Sequence, residues 1–267
     1  MTSKVEDQWA LILGASSGFG AACARALAQA GMNIFGVHLD LRATLPRAKQ
    51  VMADIEAMGR QAIFFNTNAA DDRKRARVLD RMEEVLKASS PPGHVSVMLH
   101  SLAFGTLLPF IADDPREAVS RAQMEMTLDV MAHSLVYWVQ DMVRRGMLTR
   151  GSKVFSMTSA GSHRVVHGYG AVSAAKAALE SHTRQLALEL APRGISVNCI
   201  QAGATDTPAL RKIPNSDRIL AEAMARNPSG RITRTEDVAR VLVALSDPDI
   251  TWITGTVIRV DGGEDIV

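Results

Sequence analysis

The chain has 267 residues, of which 47% are hydrophobic, and its 30 Lys and Arg against 28 Asp and Glu give a net charge of +2. This length suits one large domain with a sizeable core. The balanced charge argues against nonspecific nucleic-acid binding, and no apolar run is long enough to span a bilayer. Because no cationic leader precedes the first strand pattern, we expect a cytoplasmic protein that binds neither nucleic acid nor membrane.

Short apolar runs alternate with amphipathic stretches along the whole chain. The apolar runs predict β-strands at Ala10–Leu13, Asn33–Val37, Ala62–Asn66, Val95–Leu99, Lys153–Met157, Ser196–Ile200 and Val257–Val260. The amphipathic stretches predict helices that include Ala21–Ala30, Arg73–Lys87, Ser134–Arg145, Ala174–Leu190 and Thr235–Leu245. Strands separated by helices of this length are typical of a parallel sheet covered on both faces. We therefore predict a single doubly wound α/β domain of about seven strands over residues 1–267.

A glycine-rich stretch joins the first predicted strand to the first predicted helix. Small residues there let the backbone approach a pyrophosphate, whose charge is favoured by the helix N-terminus. Glycines at this spacing are a weak signal alone and a strong one between a strand and an amphipathic helix. The alternative is a glycine turn needed only for packing. We predict a Rossmann-type dinucleotide site formed by Gly14, Ser16, Ser17, Gly18, Phe19 and Gly20.

The end of the second strand bears on the choice of coenzyme. An acidic residue there selects NAD(H), whereas a basic one accommodates the 2′-phosphate of NADP(H). The strand ends at His38, and Asp40 and Arg42 follow with opposite charges. Because no carboxylate stands at the strand end itself and Arg42 is close by, the sequence leans to NADPH over NADH. We place His38 and Arg42 beside the adenosine ribose.

A phenol stands seven residues before a lysine in the run Tyr169-Gly170-Ala171-Val172-Ser173-Ala174-Ala175-Lys176. The chain has only two tyrosines, and Tyr137 lies in a helical apolar pattern that predicts a core position. A phenol within hydrogen-bond reach of a substrate stabilises a developing oxyanion, and a nearby cation favours the ionised phenol. We predict that Tyr169 and Lys176 are catalytic. The alternative for Lys176 is a surface lysine on the helix from Ala174.

These motifs resemble those of the short-chain dehydrogenase/reductase family, and the resemblance covers nearly the whole chain. His100-Ser101-Leu102-Ala103-Phe104-Gly105 is similar to the matching stretch of enoyl-acyl-carrier-protein reductases, and Asp261-Gly262-Gly263 to the family's usual ending. Residues 206–231 resemble an NADPH-dependent enoyl reductase subtype related to ketoacyl reductases. The resemblance implies coenzyme contacts from Asn68, Ala69, Ser101, Leu102, Ala103, Lys176, Gly203, Thr205 and Thr207.

Two departures from the common family pattern, and one position that agrees with it, bear on the implied chemistry. The family's catalytic Tyr and Lys usually stand four residues apart, but Val172 occupies that place here, and the longer interval is typical of the enoyl-thioester reductase branch. Many members have a helix Asn that holds a relay water, where this chain has Met131, whose thioether donates no proton. Ser159 falls where ketone reductases bind the carbonyl, so it either polarises a substrate oxygen or supports a turn. We include Ser159 among the catalytic candidates.

The segment Pro208–Gly230 is expected to contact the substrate. Its basic excess, from Arg211, Lys212, Arg218 and Arg226, would attract an acidic acyl-carrier protein or the phosphates of its pantetheine arm or of CoA. The alternative is a solvated charged helix. The predicted substrate contacts are Phe104, Leu108, Ala209 and Leu210, although an apolar cluster beside a sheet, such as Phe104, Leu107, Leu108 and Phe110, is more often part of the core.

The remaining reactive side chains suggest no further chemistry. Cys23 and Cys199 lie in a helix and a strand pattern, which predicts two buried, reduced thiols. His163 and His167 lie in a loop with no evident third ligand, so we predict no metal site. The family resemblance implies a homotetramer or homodimer, formed through two long helices and the last strand.

Three functions remain open at this point. The first is NAD(P)H-dependent reduction of a trans-2-enoyl thioester on acyl-carrier protein or CoA, in fatty-acid or related synthesis, with Tyr169 stabilising the enolate. The second is reduction of a carbonyl, such as a 3-ketoacyl or hydroxysteroid-type substrate. The third is a nucleotide-binding regulator that has lost turnover, against which the presence of Tyr169 and Lys176 argues.

Overall fold

The computed structural model describes residues 7–267, in which the predicted strands form one parallel sheet. The strands are β1 Trp9–Leu13, β2 Asn33–His38, β3 Ala62–Asn66, β4 Val95–His100, β5 Lys153–Ser159, β6 Ser196–Ala202 and β7 Val257–Val260. They lie in the order β3-β2-β1-β4-β5-β6-β7, and every neighbouring pair is parallel. This order confirms the predicted Rossmann-type, doubly wound sheet. Residues 1–6 of the predicted domain lie outside the described part.

Helices cover both faces of this sheet. They are α1 Gly18–Gln29, α2 Leu45–Ala57, α3 Asp72–Ala88, α4 Arg121–Leu128, α5 Ser134–Arg144, α6 Gly170–Leu190, α7 Ser216–Arg226 and α8 Thr235–Leu245. A π-helical segment, Asp129–His133, joins α4 to α5. One core cluster packs α1, α2 and α8 on the sheet, and the other packs α3, α5 and α6 on the opposite face.

Strand β1 illustrates why the sheet has two cores. Its five residues are all buried, and alternate side chains point to opposite faces. Leu11 and Leu13 therefore belong to the cluster with α3, α5 and α6, whereas Ala10 and Ile12 belong to the cluster with α1, α2 and α8. A strand covered on both faces needs apolar residues throughout, which explains its continuous apolar run.

The topology places the carboxyl ends of β1 and β4 side by side. Leu13 pairs with His100, so the segments that begin at Gly14 and Ser101 start next to each other. The chain winds in opposite directions from these two strands, and ligands of open α/β sheets bind in the crevice at such a switch point. The fold therefore gathers the predicted motifs at one edge of the sheet.

Several local predictions need correction. Helix α6 begins at Gly170 and not at Ala174, so Tyr169 directly precedes the helix. Tyr137 is half-buried and not fully in the core, and its ring faces the Arg75 guanidinium, 5.5 Å from the ring centroid. Among residues 7–267, no helix has both the length and the apolar character that crossing a membrane requires.

Candidate active site

The glycine loop after β1 is held so tightly that side chains are excluded at two positions. Gly14 has a φ of +91°, and a Cβ there would lie 2.3 Å from the carbonyl oxygen of Ser101. A Cβ on Gly20 would lie 2.1 Å from the carbonyl oxygen of Gly14. The N–H of Gly14 donates to Val37 O at 2.8 Å. These contacts bring the loop against β2 and β4 and leave the start of α1 open to an anionic ligand.

Replacing Gly20 by Ala tests the role of this close approach. Because the clash is with backbone, we expect the free energy of unfolding to fall by about 1–3 kcal/mol. We also expect weaker coenzyme binding, since the loop must move away from Gly14. Urea denaturation and fluorescence titration with NADH measure the two effects. The control is Gly59→Ala, which has strain from a φ of +75° but no atom within 4 Å, and it should leave coenzyme affinity unchanged.

A buried carboxylate lies beside the glycine loop at the end of β2. Asp40 Oδ2 is 2.8 Å from His38 Nδ1, and the two side chains are only 9% and 4% exposed. Burial raises the pKa of the Asp40 carboxyl, but hydrogen bonding with Thr44, Ser16 and His38 outweighs it and the net shift is downward. Asp40 is therefore ionised at neutral pH, next to a loop serine. Arg42 is exposed.

Tyr169 stands at the N-terminus of α6, and its ring packs over Gly161 beside Ser159. A Cβ on Gly161 would lie 2.5 Å from Tyr169 Cε1 and 3.2 Å from Ser159 Oγ. Ser159 Oγ is buried and forms no hydrogen bond of normal geometry with the described residues. Burial raises the pKa of the Tyr169 phenol, and the nearby Ser159 hydroxyl partly offsets that shift. The site thus holds a protonated phenol next to a hydroxyl with free bonding capacity.

Lys176 is buried two turns further along the same helix. Its Nζ donates to the carbonyl oxygen of Met157 at 2.7 Å, and burial lowers its pKa to about 8. The alternative of a surface lysine is therefore wrong. His100 is also buried, with Nε2 2.8 Å from Ser134 Oγ. Burial, helped by the charge of Lys176, lowers the His100 pKa to about 3, so the imidazole is neutral.

Ser159, Tyr169 and Lys176 face a cavity of about 470 Å³. Its walls include the predicted residues Phe19, Ser101, Leu102, Ala103, Phe104, Ser159, Tyr169, Lys176, Gly203, Thr205, Thr207, Ala209 and Leu210. Ser16, Ser17 and Gly18 line a separate cavity over α1, and His38, Arg42, Asn68 and Ala69 are not among the walls of either. Leu108 does not line the cavity, whereas its neighbour Leu107 does. The predicted catalytic and nicotinamide-side residues are thus brought together.

Several wall residues were not predicted as contacts. Met131, from the π-helical segment, lines the cavity where the relay Asn was expected, and a Cβ on Gly105 would lie 2.9 Å from its sulfur. Glu264 lines it as well, and its carboxylate accepts the N–H of Ala204 at 2.8 Å. The only sequence signal for Glu264 is its place directly after Asp261-Gly262-Gly263. Lys212 also lies in the wall.

The basic excess of the segment Pro208–Gly230 is largely neutralised. Arg211 pairs with Asp206 and Asp217, Arg218 with Glu222, and Arg226 with Glu264. Lys212 is exposed and has no ion pair within residues 7–267. Much of the predicted attraction for an acidic partner is therefore cancelled locally, and α7 fits the alternative of a solvated charged helix.

The contacts of the two cysteines and of His163 indicate structural roles for these side chains. Cys23 and Cys199 are buried and reduced, as predicted, and burial raises the pKa of the Cys23 thiol to about 12. His163 interacts with a carboxylate, with Nε2 3.0 Å from Asp265 Oδ2. The described residues contain no cluster of three or more potential metal ligands.

Comparison with known proteins supports the family resemblance. The family model described as "Enoyl-(Acyl carrier protein) reductase" matches residues 14–264. The NADH enoyl-acyl-carrier-protein reductase FabI of Buchnera aphidicola is 32% identical over 168 residues, which cover 63% of this chain and 64% of that protein. The cis-4-hydroxycyclohexanecarboxylate dehydrogenase of Sinomonas cyclohexanicum is 29% identical over 275 residues, covering 98% of both.

A solved structure shares the whole architecture. The crystal structure of FabI from Candidatus Liberibacter asiaticus has a TM-score of 0.87 to this chain at 24% identity, and covers 100% of this chain and 98% of that one. At this identity the likeness supports the fold alone, while the family model spans nearly the entire sequence. The chain therefore belongs to the short-chain dehydrogenase/reductase family of oxidoreductases, in which it resembles the enoyl-acyl-carrier-protein reductase branch.

Proposed function

We propose that this protein reduces the C=C bond of a trans-2-enoyl thioester with NAD(P)H. The observation that carries the proposal is which side chains at the start of α6 line the cavity. Tyr169 and Lys176 both line it, and Val172, which stands four residues before Lys176, lines it without a proton to give. The phenol available to a substrate is therefore the one seven residues before the lysine, the interval typical of enoyl-thioester reductases.

The glycine loop suits a dinucleotide because the close packing at Gly14 and Gly20 holds it against the sheet, while Ser16, Ser17 and Gly18 line a cavity at the N-terminus of α1. A reduced nicotinamide bound there would supply the hydride for the β-carbon. Lys176, Thr205 and Thr207 are proposed to hold its nicotinamide end, and Asn68 and Ala69 its adenine. Both threonines are buried, and Thr205 Oγ1 donates to Gly203 O at 3.0 Å, which fixes the loop along the cavity wall.

Tyr169 is proposed to stabilise the negative charge that develops on the thioester oxygen. Because burial raises the pKa of its phenol, the group is protonated at neutral pH and donates a hydrogen bond. The phenol or a nearby water then supplies the proton to the α-carbon. Ser159 Oγ, which forms no hydrogen bond of normal geometry with the described residues, is proposed as a second donor to the same oxygen. The Lys176 cation favours the ionised form of the phenol after the transfer.

The remaining walls suit an acyl thioester. Phe104, Leu107, Met131 and Val172 present apolar surface for the acyl chain. Lys212, an exposed cation in the wall, is placed to attract a phosphate of CoA or of a carrier protein's pantetheine arm. We place this reaction in fatty-acid or related acyl synthesis in the cytoplasm, carried out by a homotetramer or homodimer.

For the coenzyme we propose a preference for NADH, which reverses the lean drawn from the sequence. The ionised Asp40 carboxylate lies beside Ser16 of the glycine loop, where it would accept a hydrogen bond from a ribose hydroxyl and repel a 2′-phosphate. We expect Asp40→Asn to raise the NADPH-to-NADH ratio of kcat/KM about tenfold, which corresponds to ~1.4 kcal/mol of removed repulsion. Initial rates at 340 nm measure this ratio, and an unchanged ratio contradicts the role of Asp40.

The proposed activity is tested by NADH and NADPH oxidation with crotonyl-CoA, set beside acetoacetyl-CoA. Turnover of crotonyl-CoA alone supports enoyl reduction. Turnover of acetoacetyl-CoA alone supports the second candidate, carbonyl reduction, which is favoured by Ser159 and by the full-length similarity to a hydroxy-acid dehydrogenase. Coenzyme binding without turnover of any acyl or carbonyl substrate supports a non-catalytic regulator.

A further inference from the structure

Asp265 is a buried carboxylate that binds side chains from three other segments. Its side chain is 2% exposed. One or both of its oxygens accept from His163 Nε2 at 3.0 Å, from Arg164 Nε at 2.7 Å and from Gln201 Nε2 at 2.9 Å. Arg259 Nε is 3.5 Å away. The positive charges of Arg164 and Arg259 keep the Asp265 carboxylate ionised. Because the carboxylate is buried, where the dielectric constant is low, each contact is stronger than it would be in water.

The partners connect the loop before Tyr169 to the sheet. His163 and Arg164 belong to the segment 160–168, which we call the tyrosine loop because it leads from β5 into Tyr169. Gln201 lies on β6 and Arg259 on β7. Arg164 also donates to the backbone oxygen of Asp265 at 3.1 Å. Asp265 therefore fastens the tyrosine loop to β6 and β7, at one edge of the sheet.

Apart from the contacts of His163 and Arg164, few hydrogen bonds join the tyrosine loop to the rest of residues 7–267. Its backbone hydrogen bonds, as far as the described residues show them, are internal: His163 N and Arg164 N donate to Ala160 O, and Tyr169 N donates to Val166 O. Val165 is fully exposed and Val166 is 39% exposed. A loop with internal bonds and an exposed tip is free to shift as a body unless side chains hold it.

The residue before Asp265 faces the same cavity from another side. The Glu264 carboxylate accepts the N–H of Ala204 at 2.8 Å and lies 3.3 Å from the Arg226 guanidinium of α7. The two adjacent carboxylates thus hold the tyrosine loop and the loop after β6 to one short turn, Glu264–Ile266. The relative position of these two cavity walls depends on that turn.

We infer that Asp265 is a positioning residue that holds the tyrosine loop so that the Tyr169 phenol reaches the substrate oxygen. This inference rests on the proposed role of Tyr169. A displacement of about 1 Å of a reacting group costs up to about 10²-fold in rate, even when the altered residue is far from the chemistry. None of the residues proposed to hold the coenzyme belongs to the tyrosine loop, so coenzyme affinity is expected to depend little on the loop's position.

The test is Asp265→Asn, which keeps the shape of the side chain and removes its charge. We expect kcat for crotonyl-CoA to fall on the order of tenfold or more, and the Kd of NADH to change by less than about twofold. Deuterium exchange of residues 160–168 should become faster. The matched control is Glu56→Gln on the exposed face of α2, which should change neither quantity. Unchanged kcat together with unchanged exchange in Asp265→Asn overturns the inference.

A second variant approaches the same contact from the loop. Arg164→Gln removes the charged side chain that lies closest to the Asp265 carboxylate. Because the Arg164 side chain is 32% exposed, this variant can be used for the test if Asp265→Asn does not fold. If both variants act through one contact, the double variant loses no more activity than the worse single variant. Additive losses contradict the shared contact. Should Tyr169→Phe keep full turnover, the proposed function fails, and deuterium exchange in Arg164→Gln still decides whether Asp265 holds the loop.

Discussion

Replacing Tyr169 by Phe is expected to lower kcat for the enoyl thioester by about 10²–10⁴-fold, the contribution typical of one positioned proton donor. The ring would remain over Gly161, so the packing beside Ser159 is kept. The hydroxyl that stabilises the developing oxyanion is lost. The effect should appear in kcat, because an interaction made mainly in the transition state contributes little to substrate binding.

The chain contains a matched control for this substitution. Tyr137 is the only other tyrosine, and it lies on α5, outside the cavity wall. Tyr137→Phe should keep kcat within about twofold, since it removes a hydroxyl from a half-buried site that plays no part in the reaction. Stopped-flow or steady-state rates with NADH and crotonyl-CoA measure both variants. If Tyr169→Phe retains the rate of Tyr137→Phe, the phenol is not the group that acts on the substrate.

Replacing Lys176 by Met is expected to abolish turnover and to make the protein more stable at neutral pH. Burial lowers the pKa of Lys176 from 10.5 to about 8, so holding its charged form costs on the order of 3 kcal/mol. Met removes that cost and leaves Met157 O without its donor, a loss of about 1–3 kcal/mol. We expect a net gain of about 1 kcal/mol in the free energy of unfolding at pH 7.

The pH dependence of that gain has a definite sign. Between pH 8 and 10.5 the unfolded chain holds the Lys176 proton and the folded chain does not, so the wild-type protein gains stability as the pH rises through this window. The advantage of Lys176→Met should therefore shrink from pH 8 to pH 10.5. Urea denaturation of both proteins at pH 7 and pH 10 measures it. A constant difference across this range contradicts the lowered pKa.

The same titration should limit activity on the alkaline side. As the pH rises through about 8, Lys176 in the free enzyme loses the charge that assists the phenol, so kcat/KM should fall. A second buried lysine provides the control. Lys153, at the opposite end of β5, donates to the carbonyl oxygens of Leu245, Asp247 and Ile250. Lys153→Met should destabilise the fold, since it leaves three acceptors without a donor, and should leave kcat unchanged in the folded protein.

The sequence predicted the sheet well because buried parallel strands have continuous apolar runs. The predicted helices did not include α2 and α4, and α7 was expected only as the alternative of a solvated charged helix; all three helices are shallowly buried. Helix α2 buries only Ala48, Val51 and Ile55, α4 buries Thr127, and α7 buries Ala223. Because each of these helices contributes few side chains to the core, few of its positions must be apolar, and its sequence carries a weak signal of burial.

The site was predictable where one local motif determines the chemistry, and not where distant segments meet. The glycine loop and the Tyr169–Lys176 interval are visible within ten residues of sequence. The contact of Asp265 with His163 joins residues 102 apart, and that of Glu264 with Ala204 joins residues 60 apart. The sequence shows that Asp40 follows β2. The orientation of its carboxylate toward the glycine loop depends on the contact with His38, which only the folded chain reveals.

The strand order divides the chain into two parts that could be recombined. The residues proposed to choose the coenzyme all lie between Gly14 and Ala69, at the end of β2 and in the loops that follow β1, β2 and β3, whereas those proposed for the chemistry follow β4. The two parts meet along the β1–β4 ladder and where α1 packs against α8. A chimera that takes its first part from a relative with the other coenzyme preference would therefore exchange cofactor choice and keep the substrate. Its design must preserve the ladder register of Leu13 with His100 and the alanine-rich contact surface of α1.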